Sequence, residues 1–400
     1  MLRQTKSTLK QKLKRIFNTW REKREFNGYW SEKTRQYLAI HKQLKSLPQD
    51  HKNRIIEYWA PYLSIEGGGA YKHASTQTKP NQSPNLTNKL LARCQHTLDW
   101  HTIIYNVNQH HPLDVRYLDN FFYYKYIIPY FNPPMYNHVL GDKNYYDAIF
   151  HNFNKPTTIL RKVKSQLFTP KANQNIPITI NQAIDLILSH KQAIIKPTMI
   201  NQTGSGKDIN LLSADMGREE IATIIKSYNS DFIVQDLIKQ HQWLANLNSH
   251  SVNTFRIMTL FYKEKFHYLG ATLLVGEEGL TSNGGHFRIG IDENGNLRDF
   301  IIKGKGEHIE KLPNAIEPYS KAVPHIDNIK NMALEMHSCI PHIGLIGWDF
   351  TLDENGKPLF IELNSNWPGI EILELCNGIL FGEMTDEILK DIYKHYASIK

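Results

Sequence analysis

The chain has 400 residues, a hydrophobic fraction of 41%, a net charge of +8 at pH 7 and three cysteines. That length is enough for two or three domains with cores of their own, and the composition excludes a disordered chain. Cys94, Cys339 and Cys376 are odd in number and far apart, which argues against a disulfide framework or a zinc knuckle and fits a reducing cytoplasm.

Residues 1–26 carry nine basic and two acidic side chains, so this segment holds +7 of the charge and leaves the rest close to neutral. Leu9, Leu13, Ile16, Phe17 and Trp20 recur at helical spacing opposite the basic positions. Such a helix can lie on an anionic membrane surface or pack on the body with a solvated basic face. Nucleic acid is a poor partner, because the excess charge is confined to this one segment. No apolar run approaches the length of a membrane-spanning helix, and the N-terminus lacks the apolar core of a signal peptide. The basic helical region is expected to extend over 1–64, followed by a Gly/Ser/Thr/Asn/Pro-rich loop or linker at 65–90. Residues 91–140 are aromatic-rich, and the run containing Phe121, Phe122, Tyr123, Tyr124 and Tyr126 is read as packing rather than as a ligand platform.

From about residue 141 the pattern alternates. Helices are expected near 182–188 and 218–227, with strands ending at Lys196 and spanning 232–237. Strands follow at 254–261 and 266–275, and a helix at 326–338 precedes a last hairpin. This mixture indicates an α+β or mixed α/β body.

After Lys196 the chain reads Pro-Thr-Met-Ile-Asn-Gln-Thr-Gly-Ser-Gly-Lys-Asp. The resemblance to a P-loop fails, because Gly206-Lys207 is followed by Asp208 and the position five before Gly206 is Asn201. The dinucleotide fingerprint fails as well, since no third glycine follows Gly204-Ser205-Gly206 at the required spacing. What remains is a strand that delivers a lysine into a Gly/Ser/Thr loop, either an anion cradle of backbone N–H groups or an ordinary surface turn.

The hairpin at 347–364 is the most informative segment. A type I′ turn at Asn355-Gly356 would pair Glu354 with Lys357 and, counting outward, Asp349 with Glu362. Alternation then places Asp349, Glu362 and Asn364 on one face and Trp348, Phe350, Ile361 and Leu363 on the core face. Two carboxylates so placed repel each other unless a cation intervenes, and an all-oxygen donor set selects a hard ion such as Mg²⁺. The alternative is a solvated polar strand face. Asp353 and Glu354, beside the turn, are read as solvated only.

Five ordered motifs together resemble the ATP-grasp superfamily, in its sugar-transfer-associated branch. They are Gly141-Asp142-Lys143-Asn144, Ile195-Lys196-Pro197, Ser251-Val252-Asn253-Thr254-Phe255-Arg256-Ile257, Gly347-Trp348-Asp349 and Glu362-Leu363-Asn364. The likeness runs from about 110 to 395. It implies an α+β ATP-grasp fold over 141–400, with two α+β subdomains clasping ATP, a preceding segment at 91–140, and the helical basic N-terminal extension. It further implies that Lys143 and Lys196 contact phosphates, and that Thr203, Gly204, Ser205, Gly206 and Lys207 close over them. Gln235, Asp236, Leu237 and Ile238 would meet the adenine edge. Gln242 would stand at the ribose, where the family commonly has an acid. Arg256 would stabilise developing charge, and Asp349, Glu362 and Asn364 would hold magnesium. Asp208 sits where the resemblance leads one to expect a glycine.

The activity so implied is ATP-dependent joining of a carboxylate to an amine through an acyl-phosphate, on a cell-surface polysaccharide or its precursor. The loop Thr281-Ser282-Asn283-Gly284-Gly285-His286 would border the acceptor, with His286 as a general base or as a structural or substrate-binding side chain. A kinase of a sugar or small-molecule hydroxyl on the same fold is the first alternative. A non-catalytic nucleotide-binding tether is the second, and the intact metal positions and lysines argue against it.

Overall fold

The computed structural model describes residues 45–67, 88–107, 113–171, 174–199, 209–277, 287–304, 306–313, 315–316 and 320–398. The basic segment 1–26, most of 65–90, the loop 200–208 and His286 therefore lie outside the described residues. The chain divides into two compact units, one formed by 1–126 with 383–400 and the other by 127–382.

In the first unit α1 (Gln49–Leu63) packs with α2 (Asn88–Val107). The Trp59 indole donates to the Val115 carbonyl at 2.7 Å, and the Tyr58 hydroxyl donates to Asp386 at 2.5 Å. Asp119 starts the helical stretch that follows: its carboxylate accepts from the Phe122 N–H and from the Thr97 hydroxyl, each at 2.9 Å. Phe121, Phe122, Tyr123, Tyr124 and Tyr126 are all buried, so the aromatic run is packing. Among the described residues no helix is long and apolar enough to cross a membrane.

The second unit opens with a short helical turn at Ile128–Phe131 and α3 (Pro134–Leu140), then builds two antiparallel sheets. The six-stranded sheet has the order β3-β2-β1-β6-β4-β5, from β1 (Thr158–Val163), β2 (Gln166–Lys171), β3 (Gln174–Ile178), β4 (Gln192–Pro197), β5 (Asn210–Ser213) and β6 (Phe232–Asp236). Helices α4 (Ile180–Ser189) and α5 (Arg218–Ser227) cover one face. A capping box starts α4: Thr179 Oγ1 accepts from the Gln182 N–H while Gln182 Oε1 accepts from the Thr179 N–H. Ala183, Ile184 and Ile187 then form its buried stripe against Ala193 and Ile195 of β4, which turns Lys196 to the opposite face.

The seven-stranded sheet has the order β11-β10-β9-β8-β7-β12-β13, from β7 (Thr254–Tyr262), β8 (Lys265–Val275), β9 (Phe287–Ile291), β10 (Leu297–Lys303), β11 (Glu307–Ile309), β12 (Leu345–Leu352) and β13 (Pro358–Asn364). Between β6 and β7 lies α6 (Gln242–Leu247). Ile329, Ala333 and Met336 of α7 (Ile326–Ser338) pack one face, onto Phe255, Ile257, Trp348, Phe350 and Phe360. On the other face α8 (Ile370–Asn377) lies over β8 and β9, and its Asn377 amide donates to the Ala271 carbonyl at 2.7 Å. The last helix, α9 (Thr385–Ser398), belongs to the first unit. Helices laid on antiparallel sheets make the class α+β.

The hairpin departs from expectation at its turn. Only Gly356 has positive φ (+77°), and the Asp353 N–H donates to the Lys357 carbonyl at 2.9 Å. The loop therefore has three residues, Glu354 to Gly356, with the glycine in the left-handed position, rather than a two-residue type I′ turn. Asp353 is the cause: its Oδ1 accepts from the N–H groups of Asn355 and Lys357, each at 3.0 Å, and its Oδ2 accepts from Asn154 at 3.1 Å. It is a structural residue of the turn, not merely a solvated one. A bulge between Asp349 and Phe350 then shifts the register, so that Phe350 faces Phe360 while Asp349 faces Glu362. The bulged Ile361 is only half-buried, and Phe360 occupies the core position assigned to it.

Candidate functional site

One polar row crosses the seven-stranded sheet. Thr272 of β8, Arg256 of β7, Asp349 of β12 and Glu362 of β13 are successive cross-strand partners. Their neighbours Ile257, Ala271, Trp348 and Leu363 belong to the core on the other face, so strand alternation alone separates chemistry from packing.

Arg256 grips Asp349 in a two-point contact, Nε to Oδ1 at 2.6 Å and Nη2 to Oδ2 at 3.0 Å. Its Nη1 donates to the Pro368 carbonyl at 2.8 Å. That third bond needs two glycines. A Cβ on Gly347 would stand 2.7 Å from the Pro368 oxygen, and Gly369, at φ +84°, would put one 2.9 Å from Arg256 Nη1.

Lys143 comes from a turn outside both sheets. Asp142 shapes that turn by accepting from the Asn144 N–H at 2.9 Å, and the Lys143 N–H donates to the Thr198 carbonyl at 3.0 Å. This ties it to the chain two residues beyond Lys196. The Lys143 ammonium reaches Glu362 Oε2 at 2.8 Å. Behind it the Tyr146 hydroxyl accepts from the Leu363 N–H at 3.3 Å.

The electrostatics show that these groups act as one cluster. Burial lowers Lys196 to about 8, with Lys143 adding to the effect and Glu362 opposing it. Burial would raise Glu362, but Lys143, Lys196 and Arg256 together hold its carboxyl at about 2. Burial also pushes Asp349 up against the pull of Arg256, while Asp349 holds the Arg256 guanidinium above its ordinary value against burial. The structure thus brings together Lys143, Lys196, Arg256, Asp349, Glu362 and Asn364, whose amide stands 3.4 Å from Asp349 Oδ2.

The other expected positions fall as follows. Gln235 is buried on β6, and the Asp236 carboxylate accepts from His190 Nδ1 at 2.7 Å. The N–H groups of Asp236 and Leu237 donate to the Thr157 and Gln192 carbonyls, and Ile238 follows them in the chain. Gln242 is exposed at the start of α6, where its amide donates to Asn246 at 2.7 Å. Thr203, Gly204, Ser205, Gly206, Lys207 and His286 lie outside the described residues.

Two contributors carry no sequence signal of their own. Tyr146 reads as one more aromatic, and Glu371, buried on α8 and acting on Arg256, reads as an ordinary helical acid. Only tertiary structure brings them to the row. The cations that stand between the two carboxylates are the protein's own, Arg256 on Asp349 and Lys143 on Glu362, and the Asn364 amide turns its nitrogen to Asp349; these side chains offer oxygens of the kind a hard divalent ion takes, in an arrangement occupied by ion pairs. Among the described residues no group of three or more His, Cys, Asp or Glu side chains is suited to a metal. The three cations Lys143, Lys196 and Arg256 suit a polyanion such as a chain of phosphates.

The model of the sugar-transfer associated ATP-grasp family matches residues 123–388. No curated protein matches the chain. Solved structures that it resembles include D-alanyl-alanine synthetase A of Vibrio cholerae, at 15% identity and TM-score 0.37 over 65% of this chain and 66% of that one. VanG D-Ala:D-Ser ligase of Enterococcus faecalis matches at 12% identity and TM-score 0.39, over 64% and 62%. The L-amino acid ligase of Bacillus licheniformis matches at 14% identity and TM-score 0.36, over 65% and 48%. The chain covers less than two thirds of the length of each of these three.

Proposed function

The chain belongs to the sugar-transfer associated ATP-grasp family, and from that membership and the charged row we propose that it is an ATP-dependent carboxylate–amine ligase. Its substrate is a cell-surface polysaccharide or a precursor of one, for example a sugar acid joined to an amino acid. The observation that carries this reading is the meeting of Lys143 and Lys196 with the Arg256–Asp349 and Glu362 row at one buried place.

In this reading an oxygen of the donor carboxylate attacks the γ-phosphorus of ATP, ADP leaves, and an acyl-phosphate forms. The amine then attacks the acyl carbon, phosphate departs, and the nitrogen gives up a proton. Lys143 and Lys196 hold the transferring phosphate, and Thr203, Gly204, Ser205, Gly206 and Lys207 close over it. Arg256, fixed by Asp349 and Pro368, faces the charge that develops on oxygen. The segment Gln235, Asp236, Leu237 and Ile238 meets the adenine, Gln242 stands toward the ribose, and His286 takes the amine proton. Magnesium held by Asp349, Glu362 and Asn364 would neutralise phosphate charge. No side chain need act as a nucleophile. Residues 1–26 attach the chain to the anionic inner face of a membrane, so the reaction takes place on the cytoplasmic side.

Phosphorus NMR of the full chain with ATP, Mg²⁺, amino acids and sugar acids tests the reaction. ADP and free phosphate should appear together only when a carboxylate and an amine are both present. A stable phosphate ester on a sugar or alcohol would replace the ligase with a kinase.

A further inference from the structure

Arg161, on β1, is only 4% exposed, and the site described above does not use it. It is paired across the sheet with Ile233 of β6, and Ile233 is paired with Lys196 of β4. Their neighbours Leu160, Val234 and Ile195 belong to the core under α4 and α5, so Arg161 and Lys196 share the opposite face. Two strand spacings separate their backbones, roughly 10 Å.

The turn that carries Lys143 is tied to both ends of this row. Arg161 Nη1 donates to the Asn144 carbonyl at 2.6 Å, and the Lys143 N–H donates to the Thr198 carbonyl at 3.0 Å, just beyond Lys196. The Asn144 side-chain amide makes no hydrogen bond among the described residues, although both its polar atoms are buried. Asn144 is therefore hydrogen-bonded through its backbone alone, its N–H to Asp142 and its carbonyl to Arg161. Arg161 Nη2 also pairs with Asp147 of the next helical turn, Tyr146–Ile149. One planar guanidinium thus holds two successive turns of the chain after Lys143. Because its charge is matched by a carboxylate in contact with it, what Arg161 adds at Lys143 is geometry rather than field. That geometry matters, since an ammonium on a flexible stem is only as well placed as the backbone beneath it.

We propose that Arg161 is a positioning residue for ATP: it fixes the Lys143 turn on the six-stranded sheet, so that Lys143 and Lys196 meet the phosphates at a set separation. The inference rests on the ATP reading of Lys143. It requires that Arg161 act through Lys143, and that a charge without the guanidinium fork not replace it.

Calorimetry with ATP on the full chain tests this, for wild type, R161K, R161Q, K143M and the two double variants, alongside amide hydrogen exchange without nucleotide. R161K and R161Q should each weaken ATP about tenfold, as for loss of one hydrogen bond from a charged donor. In the K143M background each should cost less than about twofold, because the residue acted upon is gone. Both should speed exchange of the Lys143 amide by about tenfold or more, while β6 amides keep their protection and so show that the variants fold. If R161Q does not fold, R161K, which keeps a charge opposite Asp147, decides alone. Wild-type affinity in R161K overturns the proposal, and so do equal losses with and without Lys143, which would mark a merely structural residue. Unchanged exchange at Lys143 overturns it as well. A wild-type chain that binds no ATP removes the ATP reading of the site, and a faster Lys143 amide in R161K then supports the hold of Arg161 on the turn without it.

Discussion

Lys143 and Glu362 meet at 2.8 Å although one belongs to a turn outside both sheets and the other to the edge strand of the seven-stranded sheet. Removing the carboxylate leaves Lys143 and Lys196 facing each other at a buried place. Glu362→Gln should therefore destabilise the fold by about 1–3 kcal/mol, in the range for stranding a buried charge with partial solvent access. It should also abolish ATP turnover. Urea unfolding and phosphorus NMR read the two effects, and an active variant of unchanged stability would contradict the placement.

The same carboxylate fixes an acid dependence. Its folded value, about 2, lies below its ordinary value of 4.5, so its stabilising contribution is complete above the ordinary value and is lost as pH falls toward 2. The difference in unfolding free energy between wild type and Glu362→Gln should shrink steadily from pH 5 to pH 3. A difference that stays constant across that interval would refute the shift.

Lys196 gives the opposite limb. Its folded value, about 8, lies below its ordinary value of 10.5, so between these values the unfolded chain binds the extra proton and stability rises with pH. Wild type minus Lys196→Met should gain stability with a slope of at most roughly 1.4 kcal/mol per pH unit in that window. A flat difference between pH 8 and pH 10 would show that the lysine is not desolvated.

Arg256→Lys keeps the charge but cannot reproduce the two-point contact with Asp349 together with the bond to Pro368. We expect a loss of about 2 kcal/mol in urea unfolding and a fall of roughly a hundredfold in turnover, as for removal of one fixed donor to a developing oxyanion. Turnover within threefold of wild type would exclude Arg256 from the chemistry.

Deleting residues 1–26 should abolish sedimentation with anionic vesicles and leave nucleotide binding intact. Equal sedimentation of the two chains would assign membrane attachment elsewhere or nowhere.

The pairing of Asp349 with Glu362 was legible in the sequence, but through a turn the chain does not form. A type I′ turn at Asn355-Gly356 and the observed three-residue turn differ by one position, and the bulge at Ile361 restores that position before the carboxylates are reached. The Asp353 side chain, which bonds two backbone N–H groups and so selects the longer turn, outweighed the Asn-Gly signal. Trp348, Phe350 and Leu363 fell on the core face as alternation requires, whereas Ile361 did not, because a bulge interrupts the period of two. Lys143 and Lys196 were found through family motifs. Tyr146 and Glu371 were not, since nothing local distinguishes a buried tyrosine or helical acid that acts only through contacts distant in sequence.

The bulge has a consequence for how this hairpin can vary. With Ile361 excised, a regular ladder outward from Asp353 and Lys357 would still match Phe350 to Phe360 and Asp349 to Glu362. The extra residue is thus not required for strand partnership at all. What it changes is the local coiling of β13 and hence the direction in which Glu362 and Asn364 leave the strand. Aim and alignment are set by different residues here, so the angle of the acidic side chains can drift through small insertions at this edge while the identity of every facing pair is kept.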